Sequence, residues 1–349
     1  MPSTAQKVTA SLVTVAVILV ILVKAKELLI PFALSVIIWY IIDAMSVQIA
    51  HIRLGKGYPF RRFSLLISLL IIGLLFSGLF HVIGGTIEQV NATSSQYSDN
   101  VSRILDRLSS LFGVEVAPFL KHWADNLNIG RIIGSFASAI MGIAGNAGLV
   151  ALYVAFLLLE KRYFGIKMAL IVPDEQRRSR IQNILTDIQN QIRRYLSIKT
   201  LVSALTGILS YAVLLWVGVD YAEFWALLIF MLNYIPVIGS LIAVLMPTAL
   251  TLVQFDSFAP FLILLVGLGG LQLVIGNVVE PKIMGSSLNL SPLVVILSLS
   301  LWGEIWGVTG MFLSVPIAVI SMIIMSHIPA MRPVAIAMSE TGKLYDQSP

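Results

Sequence analysis

The chain has 349 residues, of which 58% are hydrophobic and 12% charged, and its mean hydropathy is +0.92. Soluble domains carry roughly a quarter charged residues, so an ordinary globular protein is excluded, and the apolar blocks are long enough to cross a hydrocarbon core of about 30 Å as helices. The absence of cysteine removes disulfides and thiolate metal sites, and the net charge of +5 gathers in loops rather than in a nucleic-acid-binding patch. The expected fold is an all-α polytopic membrane protein, with the lipid bilayer as its first partner and no nucleic acid.

Residues 1–87 read as three spans. The first covers 8–23; Lys24-Ala25-Lys26-Glu27 behind it offers no small-x-small cleavage site, which favours a retained span over a signal peptide. The second covers 28–50, with Pro31 near its start and Asp43 well inside. The loop that follows holds Arg53, Lys56, Arg61 and Arg62 and no acid. Short basic loops stay in the cytoplasm, which puts the N-terminus there as well. The third span covers 63–87.

Residues 88–131 read as an extracytoplasmic excursion. Val101, Ile104, Leu105, Leu108, Leu111 and Phe112 recur at helical spacing, the mark of an amphipathic helix. A fourth span at 132–159 carries Gly134, Ser138 and Gly142 at intervals of four, suited to close helix packing or a subunit contact. Residues 160–199 hold nine basic side chains against four acidic ones, so this amphipathic region belongs in the cytoplasm. Pro173-Asp174 has the form of a helix start with Asp174 as its cap. Beyond it Ile181, Ile184, Leu185, Ile188, Ile192, Tyr195 and Leu196 form one apolar stripe.

Residues 200–325 form the remaining membrane region, followed by a short tail at 326–349. Two related motifs interrupt it, N-x2-P-x2-GS from Asn233 to Ser240 and N-x3-P-x3-GS from Asn277 to Ser286. Pro236 and Pro281 remove backbone donors, while Gly239 and Gly285 relax the backbone, so both places are expected to break the helix. Unpaired backbone at membrane depth is tolerated only inside protein or beside a wet cavity, and paired interruptions point to a transporter site. The stretch 290–325 is too long for one simple span and contains Trp302-Gly303-Glu304-Ile305-Trp306-Gly307, Gly310 and Pro316. Two architectures fit: about eight membrane segments with kinks, or two re-entrant hairpins with fewer complete crossings.

Acids inside membranes are functional candidates by default. Glu280 beside Pro281 leads, with an interfacial carboxylate paired to Lys282 as the alternative; Asp43 is next, with Arg53 as its alternative partner. Asn233 and Asn277 offer donors and acceptors to a small polyhydroxyl molecule or a cation, or else each caps a half-helix. Gln272 is a polar residue in an apolar span, more often packing glue than ligand. Glu304 lies between two tryptophans, a pairing suited to the membrane interface. Histidines 51, 81, 122 and 327 share no metal spacing, and neither a nucleotide loop nor a nucleophile motif occurs. The expectation is therefore no enzyme, no cofactor and no metal, but a secondary transporter, with a channel or a structural membrane protein as the other readings.

Several stretches carry a family likeness: Pro31-Phe32-Ala33, the motif Asn233 to Ser240, Glu280-Pro281-Lys282-Ile283-Met284-Gly285, Leu290-Ser291-Pro292-Leu293, Trp302-Gly303 and Trp306-Gly307-Val308-Thr309-Gly310-Met311. Together they resemble the autoinducer-2 exporter family of membrane permeases, nearly end to end. The resemblance implies a multi-pass protein of the inner (plasma) membrane, assembled as a homo-oligomer, with a pentamer expected. It also implies hairpin elements suited to an elevator-like motion. Members are connected with export of the quorum-sensing signal autoinducer-2 and, in some cases, with sodium/proton antiport.

Overall fold

The computed structural model describes residues 4–52, 62–112, 134, 145–284 and 288–344. Every regular element among them is helical, apart from an isolated antiparallel bridge between Leu290 and Ser339. In chain order the helices are α1 (Thr4–Lys24), α2 (Lys26–Ala50), α3 (Ser64–Phe112), α4 (Ala147–Ile171), α5 (Glu175–Val217) and α6 (Ala222–Leu232). They continue with α7 (Ile238–Gln254), α8 (Ala259–Val274), a π-helical turn (Ile275–Val279), α9 (Glu280–Met284), α10 (Pro292–Ser326) and α11 (Arg332–Met338). Among the described residues, five helical stretches are long and apolar enough to cross a bilayer: Lys26–Ala50, Ser64–Thr86, Glu175–Val217, Ala259–Met284 and Pro292–Ser326. The protein is an all-helical, multi-pass membrane protein.

Several expected boundaries dissolve because helices run on through them. The third span and the amphipathic stretch after it are one helix, α3, of 49 residues. At 1.5 Å per residue it is about 74 Å long, more than twice the hydrocarbon thickness. Helix α4 continues past the expected end of the fourth span, to Ile171. Of its small-residue stripe, Gly134 is described; Ser138 and Gly142 lie outside the described residues. The basic amphipathic stretch and the fifth span are likewise one helix, α5, of 43 residues. Asp174 does start it: its carboxylate accepts the Arg177 backbone N–H at 2.7 Å. Nothing between Glu175 and Val217 stops a helix, since the stretch contains neither proline nor an unsupported turn signal.

The chain forms two compact units. The first comprises Met1–Pro59, Asn146–Leu196 and Ser286–Pro349; the second comprises Phe60–Gly145 and Ser197–Gly285. In the first, α2 packs along α4, with Phe32 edge-on to Tyr153 at 5.8 Å. Trp306 donates its indole N–H to the Leu22 carbonyl of α1 at 3.0 Å. The tail is tied back where Ser291 donates to the Met338 carbonyl and Glu340 to the Asn289 carbonyl.

In the second unit the break at Asn233–Val237 is real. Helix α6 stops after 11 residues, about 16 Å and roughly half of a bilayer core. Val237 then takes φ 62° and ψ −64°, and Ile238 donates to the Pro236 carbonyl at 2.6 Å, a strained γ-turn. The chain folds back on itself. Gly239 lies so close to the end of α6 that a Cβ there would overlap the Leu232 carbonyl oxygen. At the other end Gln254 closes the pair, accepting from the Asp220 N–H and donating to the Gly218 carbonyl.

At the second expected break, Asn277–Ser286, the described residues stay helical as far as Met284. Asn277 sits in the π-helical turn, where Glu280 donates to the Ile275 carbonyl, and Pro281 then enters the first turn of α9. Proline is tolerated in a first helical turn, and the widened turn shifts the hydrogen-bond register where Pro281 lacks its donor. Helix therefore continues to Met284; Gly285 lies outside the described residues. A fold-back that neither motif marks belongs to the first unit, inside α10. Gly307 takes φ 62° and ψ −143°, and Ser298 donates to the Ser314 carbonyl at 2.8 Å across 16 residues. Those residues would stand about 24 Å apart in a straight helix. Gly310 faces the Trp302 carbonyl so closely that a Cβ would overlap it. Thus α10 is a helical hairpin with its tip at Gly307.

Candidate functional site

The second unit gathers its polar side chains where the α6–α7 hairpin turns. Helix α5 presents Lys199, Ser203, Thr206 and Ser210 along one buried face, at intervals of three and four. Small residues on the same helix allow close approach: a Cβ at Gly207 would come within 3.2 Å of the Ala226 carbonyl and of Phe230 on α6. Gly267 of α8 meets Val213 similarly, at 3.1 Å. The hairpin tip and α8 are thereby brought onto the polar face of α5.

Asn233 is 5% exposed and directly follows the last residue of α6. Its amide does not cap a half-helix. Nδ2 donates to Ser203 Oγ at 3.2 Å, and Oδ1 accepts from Gln272 Nε2 of α8, also at 3.2 Å. Beside it, the buried Tyr234 hydroxyl and Thr200 Oγ1 are 2.7 Å apart. One turn away on α5, Lys199 Nζ donates to Glu280 Oε1 at 2.5 Å. Both partners are largely shielded, at 7% and 18% side-chain exposure. The partner of Glu280 is therefore Lys199, not the neighbouring Lys282, which is exposed. The alternative pairing with Lys282 is not formed; Lys282 is exposed and long-range packing supplies Lys199.

Other sequence candidates fall differently. Asn277 is exposed on the π-helical turn and takes no part in the knot, so the two motif asparagines do not share a site. Pro236 is half-buried and Gly239 buried; both shape the turn rather than offer side-chain chemistry. Pro281 is exposed. Asp43 belongs to the first unit and binds two cations, Lys161 Nζ and Arg193 Nη2, each at 2.5 Å. Its partners thus come from α4 and α5, while Arg53 lies outside the described residues. Glu304 is exposed.

These side chains form a polar cluster in an apolar setting. An amide carries two N–H donors and an oxygen that accepts twice, so the two bonds Asn233 makes leave capacity for a hydroxyl or a cation. Lys199 and Glu280 supply opposite charges that cancel in the absence of a third party. Sequence reasoning missed Lys199, Ser203 and Thr200, the first by counting it among loop charges. The legible signal was the polar i, i+4 spacing of Lys199 and Ser203 at the start of an apolar helix. Among the described residues, no group of histidines and acids is placed to hold a metal.

Comparison with known proteins places the chain by its sequence. The model of the AI-2E transporter family matches residues 12–330. The chain belongs to the AI-2E family. The AI-2 transport protein TqsA of Escherichia coli is 31% identical over 326 residues, covering 91% of each chain. A provisionally named transport protein of Haemophilus influenzae is 31% identical over 317 residues, covering 88% of this chain and 89% of the relative. YhhT of Escherichia coli, also provisionally named as a transport protein, is 27% identical over 323 residues. AI-2E membership and the transport names of these relatives support a membrane transporter.

Proposed function

We propose that the protein is a secondary transporter that exports a small polar signal, autoinducer-2 or a related polyhydroxyl molecule, with the polar knot around Asn233 as its binding site. The observation that carries this reading is a buried amide at a genuine helix break, held between Ser203 and Gln272. Such groups are costly in an apolar interior and are retained where they serve a ligand. The name of TqsA, an AI-2 transport protein, supports the substrate class. The helical hairpins at Val237 and Gly307 support re-entrant elements and alternating access of the elevator type. The setting is the inner membrane, with the N-terminus cytoplasmic and the chain assembled as a homo-oligomer, a pentamer by family resemblance.

Glu280 is the coupling residue in this reading. A proton or cation arriving at its carboxylate competes with Lys199, and the released ammonium rearranges the site. Reconstitution in proteoliposomes tests both steps. Glu280→Gln should exchange autoinducer-2 across symmetric vesicles yet fail to concentrate it against a gradient. Unchanged concentrative transport in this variant removes Glu280 from the coupling step. Voltage-driven unitary currents in place of saturable flux would replace the carrier by a channel, and sodium/proton exchange without autoinducer-2 flux would replace the substrate. For topology, a single cysteine at Ser95 in this cysteine-free chain should react with an impermeant thiol reagent in intact cells; labelling only after the membrane is opened reverses the orientation.

A further inference from the structure

We propose that the junction of α4, α5 and the end of α10, within the first unit, is a binding site for an anionic phospholipid of the surrounding bilayer. A groove of about 630 Å³ opens there. Arg177, Arg180, Ile181 and Ile184 line it from α5, at i, i+3, i+4 and i+7, so cationic and apolar residues share one helix face. Ile324 and Ile328 complete the apolar wall and remain 44% and 40% exposed. The arginines come first along the helix and Ile184 lies a turn further on, an order that seats a headgroup at one end and an acyl chain at the other.

Charge selects the headgroup. The guanidinium groups of Arg177 and Arg180 are exposed and enter no ion pair among the described residues. Asp174 also borders the groove, but its carboxylate is engaged in capping α5 through the Arg177 N–H. The three groups together leave one positive charge. His327, on the opposite side, already uses Nδ1 toward the Ile323 carbonyl at 2.8 Å. A free phosphate would meet the arginines but leave the isoleucines wet, and an apolar molecule would do the reverse. A phospholipid satisfies both surfaces with one molecule. Leu170 and Ile171, at the end of α4, are each 76% exposed, as expected of side chains that meet acyl chains rather than water.

The inference needs no assumption about substrate, and its test does not read transport. The purified full chain is mixed with phosphatidylglycerol or phosphatidylcholine of identical acyl chains and examined by native mass spectrometry. Phosphatidylglycerol should remain bound at collision energies that strip phosphatidylcholine. Arg177→Gln with Arg180→Gln should lower its apparent affinity roughly 30-fold, about fivefold per arginine, the scale on which one basic side chain near an anionic headgroup acts. The charge-retaining pair Arg177→Lys with Arg180→Lys should keep the preference, with unfolding in detergent confirming that both variants are intact. Equal retention of the two lipids, or no change in the glutamine pair, overturns the proposal. Displacement by glycerol phosphate at lipid-like concentrations would also overturn it, as the site would then read a free phosphate.

Discussion

Both units contain a helical hairpin closed by a glycine against a backbone carbonyl, Gly239 on Leu232 in the second and Gly310 on Trp302 in the first. The two differ in what the turn delivers. At Asn233–Val237 five residues separate the helices and a buried amide enters a network with two other elements. At Gly307 the chain reverses on one glycine between Trp306 and Val308, and the nearest polar event is an indole N–H bonded to a neighbouring backbone. A broken helix is thus a backbone device. Chemistry comes from the side chain placed at the break and from what packs against it. Charge divides the units in the same way: a shielded, neutral Lys199–Glu280 pair in the second, and Asp43 between the more exposed cations Lys161 and Arg193 in the first.

The largest expected effect tests that charge contrast. Lys199→Met leaves Glu280 shielded and unpaired, which should destabilise the protein by about 4 kcal/mol, the usual cost of breaking one partner of a buried pair. The double variant Lys199→Met with Glu280→Met should regain most of that loss. Asp43→Asn should cost about 1 kcal/mol, because Lys161 and Arg193 remain hydrated. Denaturant unfolding of the purified protein measures all three, and equal losses for Lys199→Met and Asp43→Asn would erase the contrast.

The hairpins come next. Gly239→Ala and Gly310→Ala each set a methyl group against a carbonyl oxygen that cannot move aside, at a cost of about 3 kcal/mol. Gly307→Ala should cost less, about 2 kcal/mol, because only its backbone angles are at issue; nothing lies within 4 Å of a Cβ there. If Gly307→Ala proved the most damaging of the three, the turn itself rather than the close approach would govern the hairpin.

Smaller effects separate the two asparagines. Asn233→Ala strands Ser203 and Gln272 and should destabilise by about 2 kcal/mol, whereas the exposed Asn277→Ala should stay within about 0.5 kcal/mol. A double-mutant cycle between Asn233 and Gln272 should show coupling of about 1 kcal/mol, and one between Asn233 and Asn277 should be additive. Coupling in the second cycle would restore the paired-motif site that the structure divides.

Composition alone determined the class, because an apolar fraction this high with so few charges has no soluble solution, and the blocks match a bilayer in length. Local chemistry also determined the start of α5 at Asp174 and the break at Pro236, since capping and a missing donor act within a few residues. Two things escaped local reading. The motif at Asn277 looks like that at Asn233, yet a π-helical turn absorbs Pro281 and helix runs on to Met284, while a reversal that neither motif marks falls at Gly307. The motif alone does not reveal whether a proline's lost hydrogen bond ends a helix or is absorbed by one wider turn. The ion-pair partners of Glu280 and Asp43 also escaped local reading. Lys282 and Arg53 are near in sequence, but Lys199, Lys161 and Arg193 lie 81, 118 and 150 residues away from the acids they bind. Only the packing of α4 and α5 against distant helices brings those charges together, because ion pairing depends on distance in space and hydropathy patterns carry no record of which helices become neighbours.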